Sequence, residues 1–429
     1  MSTVDRTALA RPLEFEYSGK TAKNRLFNAA MAEMLATWDE KDRTESGIPT
    51  EALINLYSRW AEGGWGTILT GNIQTQYLML GNPGEMSLDP SYPFSGPRFE
   101  AFKRLARAGK SHGSLIIGQI SHIGRKASAA LIKEAVSAST LPMHSNNSGP
   151  NSNKKFTENV RAATKEDIET IVNGFVHAAV YLEKAGFDGV ELHAAHGYLI
   201  AQFLSGATNK RTDEYGGSLQ NRMRLLVEIG RGIRQNTSPG FVLGAKLNSV
   251  EFQKGGITPD EAQELCCVLQ GEGLWFDFVE LSGGNVEGLV SPDKVETAEK
   301  ESTRNREAFF LDFAETIVPA MKQGAGEKRK TKVVLTGGIR SASGIVKALE
   351  VVDAVAMGRS ATQAPSAAAQ LISGEIEEVP TPAPPFDKDI GLGVVASTAQ
   401  IGFISRGERP FDLADGEVAA RFIEDLRKK

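Results

Sequence analysis

Two imidazoles and a phenol are concentrated in the segment VELHAAHGYL, which begins at Val190. His193 and His196 are three residues apart, and Tyr198 follows where an apolar run gives way to a polar loop. Taken alone, these histidines could ligate a metal, pack in a core or take part in catalysis. The H-x-x-H pattern lacks the i, i+4 spacing of helical zinc ligands and has no obvious acidic third ligand. We therefore expect no metal site.

Eight short apolar runs in the chain must position this cluster. Each run ends in glycine or a polar residue and is followed by a helical pattern. The runs are continuously apolar, which is typical of parallel strands covered on both faces. The predicted fold is α/β, a (β/α)8 TIM barrel, in which active sites lie at the C-terminal ends of the strands. The runs are residues 26–31, 66–71, 114–120, 189–193, 241–247, 276–282, 332–338 and 353–359.

The barrel is predicted to occupy residues 1–373, with a polar capping insertion at about residues 128–160. Residues 374–429 form an acidic, proline-rich segment and a C-terminal extension that ends in a helical pattern. We expect this extension to pack on the barrel or on a neighbouring subunit.

Polar and glycine residues at the predicted strand ends indicate a flat, phosphorylated ligand. Loops after the seventh and eighth strands are the common phosphate site of this fold, and glycines there let backbone N–H groups approach phosphate oxygens. A glutamine suits the edge of a pyrimidine ring, and a lysine stabilises the negative charge of a reduced flavin. Together they favour FMN. The residues are Gln119, Lys246, Gly337, Gly338, Arg340, Gly358 and Arg359.

Composition indicates a reduced protein of the cytoplasm. The net charge is -5, and no long basic run suggests nucleic-acid binding. No apolar run reaches membrane-spanning length, and the first residues lack a secretory core. The two cysteines, Cys266 and Cys267, are adjacent in a helical pattern and cannot form a disulfide framework. No G-x-G-x-x-G follows the first strand, which argues against a Rossmann site.

A long motif resembles the signature of the old yellow enzyme family of FMN-dependent ene-reductases, and its His-x-x-His form resembles the thermophilic-like branch. Further similarity covers KNR at 23–25, GQISHIGRKA at 118–127, LTGGIR at 335–340 and MGR at 357–359. The motif residues are His193, His196, Gly197, Tyr198, Leu199, Gln202, Phe203, Leu204, Asn209, Arg211, Asp213, Tyr215, Gly216, Gly217 and Ser218.

This resemblance implies a mechanism and a set of partners. NAD(P)H, with NADPH favoured, would reduce FMN, and an α,β-unsaturated carbonyl compound would then accept hydride from flavin N5. His193 and His196 would bind the carbonyl oxygen, and Tyr198 would protonate the α-carbon. A homodimer or higher homo-oligomer is expected, in which Arg406 or Arg409 could reach a neighbouring site. Arg211, Asp213 and Tyr215 are expected to brace a loop.

Several positions depart from the family pattern. The flavin-contacting stretch at the end of strand one is Ala29, Ala30, Met31 and Ala32, where the family has Pro-Met and then Cys or Thr. Met34 stands at a substrate-binding position that is often aromatic, and Lys246 replaces the usual arginine. Gly71, expected at the flavin, lies in the unusual motif Thr70-Gly71-Asn72.

Other functions remain open at this point. The enzyme could act on a specialised biosynthetic or catabolic intermediate, including by desaturation. A non-redox barrel that binds a phosphorylated metabolite would need Lys246 as a Schiff-base lysine or Glu280 as a base. A flavin-binding protein without turnover would have no use for Tyr198 as a proton donor.

Overall fold

The computed structural model describes residues 4–143, 156–248, 251, 255–271, 273–282, 303–324 and 329–428. The strands in the described residues are β1 Leu13–Phe15, β2 Lys20–Ala22, β3 Leu26–Asn28, β4 Thr67–Gln74, β5 Met86–Ser87, β6 Leu115–Ser121, β7 Ala135–Ser137, β8 Val160–Ala162, β9 Gly189–Ala194, β10 Val242–Asn248, β11 Phe278–Ser282, β12 Lys332–Thr336 and β13 Ala354–Met357.

Helices follow the barrel strands and surround them. In the described residues they are α1 Thr7–Ala10, α2 Glu51–Glu62, α3 Gly96–Lys110, α4 Lys165–Ala185, α5 Leu199–Leu204, α6 Leu219–Arg222, α7 Arg224–Asn236, α8 Pro259–Leu269, α9 Thr303–Gly324, α10 Ala342–Ala348, α11 Arg359–Gln363, α12 Ala367–Ser373, α13 Ile390–Ser405 and α14 Gly416–Arg427.

Eight parallel strands close into a barrel and confirm the predicted fold. Their order is β3, β4, β6, β9, β10, β11, β12 and β13, and β13 pairs again with β3. Each corresponds to one of the apolar runs. Thr50, Thr164 and Thr258 cap the starts of α2, α4 and α8, because each threonine accepts a hydrogen bond from a first-turn backbone N–H.

One end of the barrel is closed by apolar side chains from the N-terminal hairpin β1–β2. Phe15 is fully buried, and its ring centroid lies 6.4 Å from that of Phe27 and 5.9 Å from that of Phe278. Leu13 belongs to the same inner cluster. The interior is therefore packed rather than open at this end.

Polar side chains replace apolar ones toward the other end. Side chains alternate along a strand, so residues two positions beyond Ile117, Phe278 and Val334 face the interior too. These are Gln119, Glu280 and Thr336, all at the C-terminal ends of their strands. The fold thus brings polar groups together where a barrel carries its chemistry.

The capping insertion packs over this polar end. Strands β7 and β8 pair in parallel, and Ile123, Ala135 and Val160 form a small apolar cluster that includes Tyr198. Residues 144–155 of the predicted cap lie outside the described residues. The cap keeps Tyr198 8% exposed, so water has little access to its ring.

The C-terminal extension contains α13 and α14, whereas the sequence predicted only the terminal helix. Phe386, Ala396 and Leu413 pack in its buried cluster. The α13 sequence has glycines and apolar residues on all faces, so helical periodicity could not reveal it. Throughout the described part of the chain, no helix combines the length and apolarity needed to cross a membrane.

Candidate active site

His193, His196 and Tyr198 lie together at the polar mouth of the barrel, as predicted. His193 is the penultimate residue of β9, and its ring centroid lies 5.2 Å from that of His196 and 4.3 Å from that of Tyr198. His193 is 4% exposed. Three residues from a strand end and the following loop therefore form one buried cluster.

A tight turn after β9 orients His196. Its φ of 54° lies in the left-handed region, which costs a non-glycine residue about 1–3 kcal/mol. The neighbouring strand ends hold it: its backbone N–H donates to Asn248 Oδ1 at 3.2 Å, and Nε2 lies 3.0 Å from Ser282 Oγ. Gly197 continues the turn with a φ of 76°. The strained turn brings the second imidazole back over the barrel.

Both imidazoles are neutral because charging them here is unfavourable. Burial lowers the pKa of His196 to about 3, and the Lys246 and Lys126 ammonium groups add to this effect. Burial also holds the pKa of His193 well below its ordinary value, with further lowering from His196. A neutral imidazole donates from one ring nitrogen only. Each histidine can thus offer one N–H to a ligand oxygen without carrying a charge.

Tyr198 keeps its proton, and its oxygen has a partner. Burial raises the pKa of the Tyr198 phenol well above its ordinary value, and the Glu85 carboxylate acts in the same direction. Asn72 Nδ2 donates to the phenol oxygen at 2.7 Å. Lys126 Nζ lies 4.1 Å from the ring centroid. The phenol is an acid beside an amide donor and an ammonium group.

A buried layer of charged groups lies just inside the mouth. Lys246 Nζ donates to Glu280 Oε1 at 2.5 Å, and Gln119 Nε2 donates to Glu191 Oε1 at 2.6 Å. Burial raises the pKa of Glu191 well above its ordinary value, and Glu280 raises it further. Although burial opposes it, Lys246 keeps the pKa of Glu280 below the ordinary value. Glu191 is therefore protonated, whereas Glu280 and Lys246 form an ion pair.

A second buried carboxyl, absent from the predicted site, anchors Gly71. Glu33 Oε1 accepts from the Gly71 N–H at 2.9 Å and from the Tyr57 hydroxyl. Burial raises the pKa of Glu33 to about 7. A Cβ on Gly71 would lie 2.1 Å from Glu33 Oε2 and 2.2 Å from the Met31 carbonyl oxygen. The glycine is thus required by protein packing.

The strand-one residues and Gly358 meet at the same mouth. A Cβ on Gly358 would lie 3.7 Å from Met31 Sδ and 3.9 Å from the Ala29 Cβ. Ala30 and Ala32 flank Met31 in the same extended segment, and both are partly exposed. Met34, predicted to contact substrate, has a φ of 55° and lies against Gly84.

The predicted phosphate residues follow β12 and β13. Gly337 and Gly338 have φ values of 154° and 72°, conformations that favour glycine. Arg340 Nη1 donates to the Pro380 carbonyl at 2.8 Å and to Gln363 Oε1 at 3.2 Å. Arg359 starts α11, and its Nη1 would lie 2.7 Å from a Cβ on Gly393 in α13. Both arginines therefore also contact the C-terminal extension.

The donor set fits a flavin. His193 Nδ1 is buried and has no hydrogen-bond partner among the described residues. Such atoms normally find a partner. The Lys246 cation and the Gln119 amide suit the polar edge of an isoalloxazine ring, and the glycine turns after β12 and β13 suit a phosphate.

Other residues singled out by the sequence have structural contacts. Arg211 donates to Asp213 and to the carbonyls of Ala138 and Ala163, so it braces the cap. Arg125 donates to the Leu141 carbonyl in the same region. Arg406 is exposed and pairs with Glu408 at 2.7 Å.

A surface cavity of about 440 Å³ lies between the cap and the Lys210–Asp213 segment, and none of the residues predicted to bind substrate or cofactor lines it. Within the described ranges, no cluster of three histidine, cysteine or acidic side chains could hold a metal ion.

Comparisons with known proteins agree with this geometry. The profile of the NADH:flavin oxidoreductase / NADH oxidase family matches residues 8–375. The chain is 42% identical over 412 residues to the NADH-dependent flavin oxidoreductase nadA of Aspergillus parasiticus, covering 96% of this chain and 88% of that relative. It is 34% identical over 280 residues to NADH oxidase of Thermoanaerobacter brockii, covering 64% of this chain and 39% of the relative.

Solved structures show the same fold. An old yellow enzyme homologue from Zymomonas mobilis aligns with a TM-score of 0.66 and 24% identity, over 86% of this chain and 94% of the other. A 2-naphthoyl-CoA reductase aligns with a TM-score of 0.74 and 24% identity, over 97% of this chain but only 58% of the other.

Proposed function

The chain belongs to the NADH:flavin oxidoreductase / NADH oxidase family, which includes the old yellow enzymes, and from this premise we propose its reaction. It is an FMN-dependent NAD(P)H oxidoreductase that reduces the C=C bond of an α,β-unsaturated carbonyl compound. The observation that carries this proposal is the buried cluster of two neutral imidazoles and a protonated phenol at one point of the barrel mouth.

The histidines bind and polarise the carbonyl oxygen. FMN, when bound, passes two electrons from NAD(P)H to the alkene. Reduction at the β-carbon moves negative charge onto the carbonyl oxygen, where the His193 and His196 N–H groups lower its energy. One well-placed donor to such an oxygen is worth about 3–4 kcal/mol of barrier. Their burial strengthens this effect because water does not compete for the oxygen.

Tyr198 supplies the proton that completes the reduction. Its phenol stays protonated in the buried site and transfers the proton to the α-carbon, which leaves a saturated carbonyl product. The cap cluster around Tyr198 limits competing protonation by water. The phenolate then recovers its proton from solvent before the next turnover.

The state of Lys246 argues against a Schiff-base barrel. Burial alone would lower the pKa of Lys246, but the Glu280 carboxylate, which accepts a hydrogen bond from it, raises that pKa above the ordinary value. A nucleophilic lysine must lose its proton, whereas Lys246 is held as a cation. This favours a role in stabilising the negative charge of a reduced flavin.

The choice of nicotinamide is a separate prediction. The resemblance to the old yellow enzymes favours NADPH, whereas the relative with 42% identity is named as NADH-dependent. Anaerobic titration of the yellow protein with each nucleotide compares the two rates of flavin bleaching directly.

The test follows the two half-reactions of purified protein without oxygen. We expect a yellow protein that bleaches with NADH or NADPH and regains its colour with 2-cyclohexenone. Tyr198→Phe should bleach at the wild-type rate and reoxidise roughly 100-fold or more slowly, since general acid catalysis contributes about 10²–10⁴. Bleaching without any response to enones would reject the proposed substrate class. A protein that neither contains nor takes up FMN would reject the proposal altogether.

A further inference from the structure

A β-bulge in β4 sets the direction of Asn72. Leu69 pairs with Ile117 and Asn72 with Gln119, so β4 has one more residue than β6 between these points. Two residues of β4, Thr70 and Gly71, therefore lie opposite the single residue Gly118 of β6. The Thr70 hydroxyl accepts the Gln119 N–H at 3.0 Å, which restores a bond that the bulge would otherwise lose.

Glu33 and Tyr57 fix this bulge from the opposite side. The Gly71 N–H donates to Glu33 Oε1 at 2.9 Å and lies 3.2 Å from the Tyr57 hydroxyl oxygen. All of these groups are buried. The chain therefore leaves the bulge in a defined direction, with the Asn72 amide at the phenol of Tyr198.

We propose that Asn72 is a positioning residue for proton transfer, because its amide N–H holds the Tyr198 oxygen and stabilises the phenolate that forms when the proton leaves. This inference rests on the proposed function. The Asn72 Nδ2 to Tyr198 Oη distance is 2.7 Å, at the short end for an N–H···O bond. Hydrogen bonds to a charged group are roughly twice as strong as those between neutral groups. The contact therefore favours the transition state over the resting phenol.

The same bond directs the proton toward substrate. A phenol oxygen that accepts from Asn72 has its own O–H free to point elsewhere. His193 packs against one side of the ring at 4.3 Å between centroids. The bond from Asn72 therefore turns the O–H away from the amide, and the packing of His193 holds the ring in place.

A packing role alone explains the amide poorly. Asn72 Oδ1 is buried and has no partner in the described part of the chain, so burying this side chain has an uncompensated cost. An apolar residue of similar size would avoid that cost. Donation to Tyr198 is the contact that the asparagine supplies and an isosteric leucine would not.

The experiment measures reoxidation of the NADH- or NADPH-reduced holoenzyme by 2-cyclohexenone in a stopped-flow instrument. Asn72→Leu and Asn72→Ala both remove the amide donor, the first with a side chain of similar size and the second with a smaller one. Both variants should reoxidise roughly 10- to 100-fold more slowly than wild type while bleaching at the wild-type rate. A wild-type rate for Asn72→Leu would overturn the proposal, since the phenol would then need no amide donor.

The Tyr198→Phe background is the matched control. If Asn72 acts through the phenol, Asn72→Leu should cause no further slowing once the hydroxyl is gone. Equal slowing in both backgrounds would assign Asn72 a role independent of Tyr198 and sink the inference. If Tyr198→Phe itself reoxidises normally, both this inference and the proposed proton donor fail, whereas flavin bleaching would still test the redox function.

A second readout needs no turnover. The chain has seven tyrosines, so ¹³Cζ-labelled tyrosine gives a small set of signals, and Tyr198→Phe identifies the one from Tyr198. That signal should move in Asn72→Leu holoenzyme while the others stay in place. An unmoved signal in a folded variant would show that the amide does not bond the phenol and would overturn the proposal.

Discussion

His193 and His122 are buried and His196 is partly buried, and the folded protein favours the neutral form of all three imidazoles. Burial lowers the pKa of His196 to about 3 and that of His122 to about 4. In the unfolded chain the same side chains have an ordinary pKa near 6.5. At pH values between the two, the unfolded state binds protons that the folded state does not bind.

We predict that this difference makes the protein less stable in mild acid. The loss of unfolding free energy is small above about pH 6.5 and grows as the pH falls, because the unfolded state gains the extra protons. For His196 alone, lowering the pH from 7 to 5 should cost roughly 2 kcal/mol of unfolding free energy. Urea unfolding of wild type and His196→Asn at both pH values measures this contribution. Between pH 7 and pH 5, the unfolding free energy of the variant should fall by roughly 2 kcal/mol less than that of wild type.

His112 provides the control because it is exposed. His112→Asn should show the same acid dependence as wild type. If His196→Asn also lost as much unfolding free energy as wild type on acidification, protonation of His196 would not contribute to acid sensitivity.

At this scale the sequence pointed to the groups for which we propose chemistry but not to those that hold them. His193, His196 and Tyr198 could be predicted because their types and spacing form a long motif. Asn72 and Glu33 could not, because their positions depend on a bulge and on a loop that folds back over a neighbouring strand. No local pattern reveals either contact.

The bulge in β4 is an element that serves the site by breaking regular pairing. It turns the Gly71 N–H toward Glu33 and directs Asn72 to the mouth. Bulges are frequent beside active sites because they redirect a side chain. Here Glu33, Tyr57 and Thr70 compensate by accepting hydrogen bonds from the backbone N–H groups of Gly71 and Gln119.

We predict that Gly71→Ala disturbs this element more than an ordinary glycine substitution would. The new Cβ would clash with Glu33 and with the Met31 carbonyl, so β4 or the strand-one segment must shift. Overpacking of this kind costs about 1–3 kcal/mol. Urea unfolding should show that loss, and FMN binding measured by fluorescence quenching should weaken.

Gly416→Ala is the matched control, since a Cβ there has no neighbour within 4 Å. It should leave both stability and FMN affinity near wild-type values. Unchanged FMN affinity in Gly71→Ala would mean that the bulge can relax without moving the flavin site.

Element prediction succeeded where the apolar signal was long and failed where it was short or uniform. The barrel strands are continuous buried runs, and they were found within a few residues of their ends. The three-residue strands β1 and β2 pair with each other in a hairpin, and three residues are too few for an alternating pattern to identify a strand. Helix α13 is apolar on every face, so it has no periodicity to read.

The whole molecule separates stability from chemistry along the barrel axis. Apolar side chains fill the end closed by β1 and β2, whereas ionised and hydrogen-bonding groups fill the mouth beneath the cap. This division is the general organisation of the fold, in which the C-terminal ends of the strands carry function. A mutation in the closed end should therefore affect folding without altering the reaction.

Phe15→Ala tests this division. Phe15 is fully buried and packs against Phe27 and Phe278, so truncation should cost about 3–5 kcal/mol of unfolding free energy. Below its unfolding midpoint, the variant should keep wild-type rates of flavin bleaching and enone-dependent reoxidation, because no mouth residue loses a contact. Phe94→Ala is the control: this ring is 38% exposed and should cost much less. Slower half-reactions in folded Phe15→Ala would show that packing at the closed end is transmitted through the barrel strands to the charged layer around Lys246 and Glu280. In that case the two ends of the barrel would act as one unit.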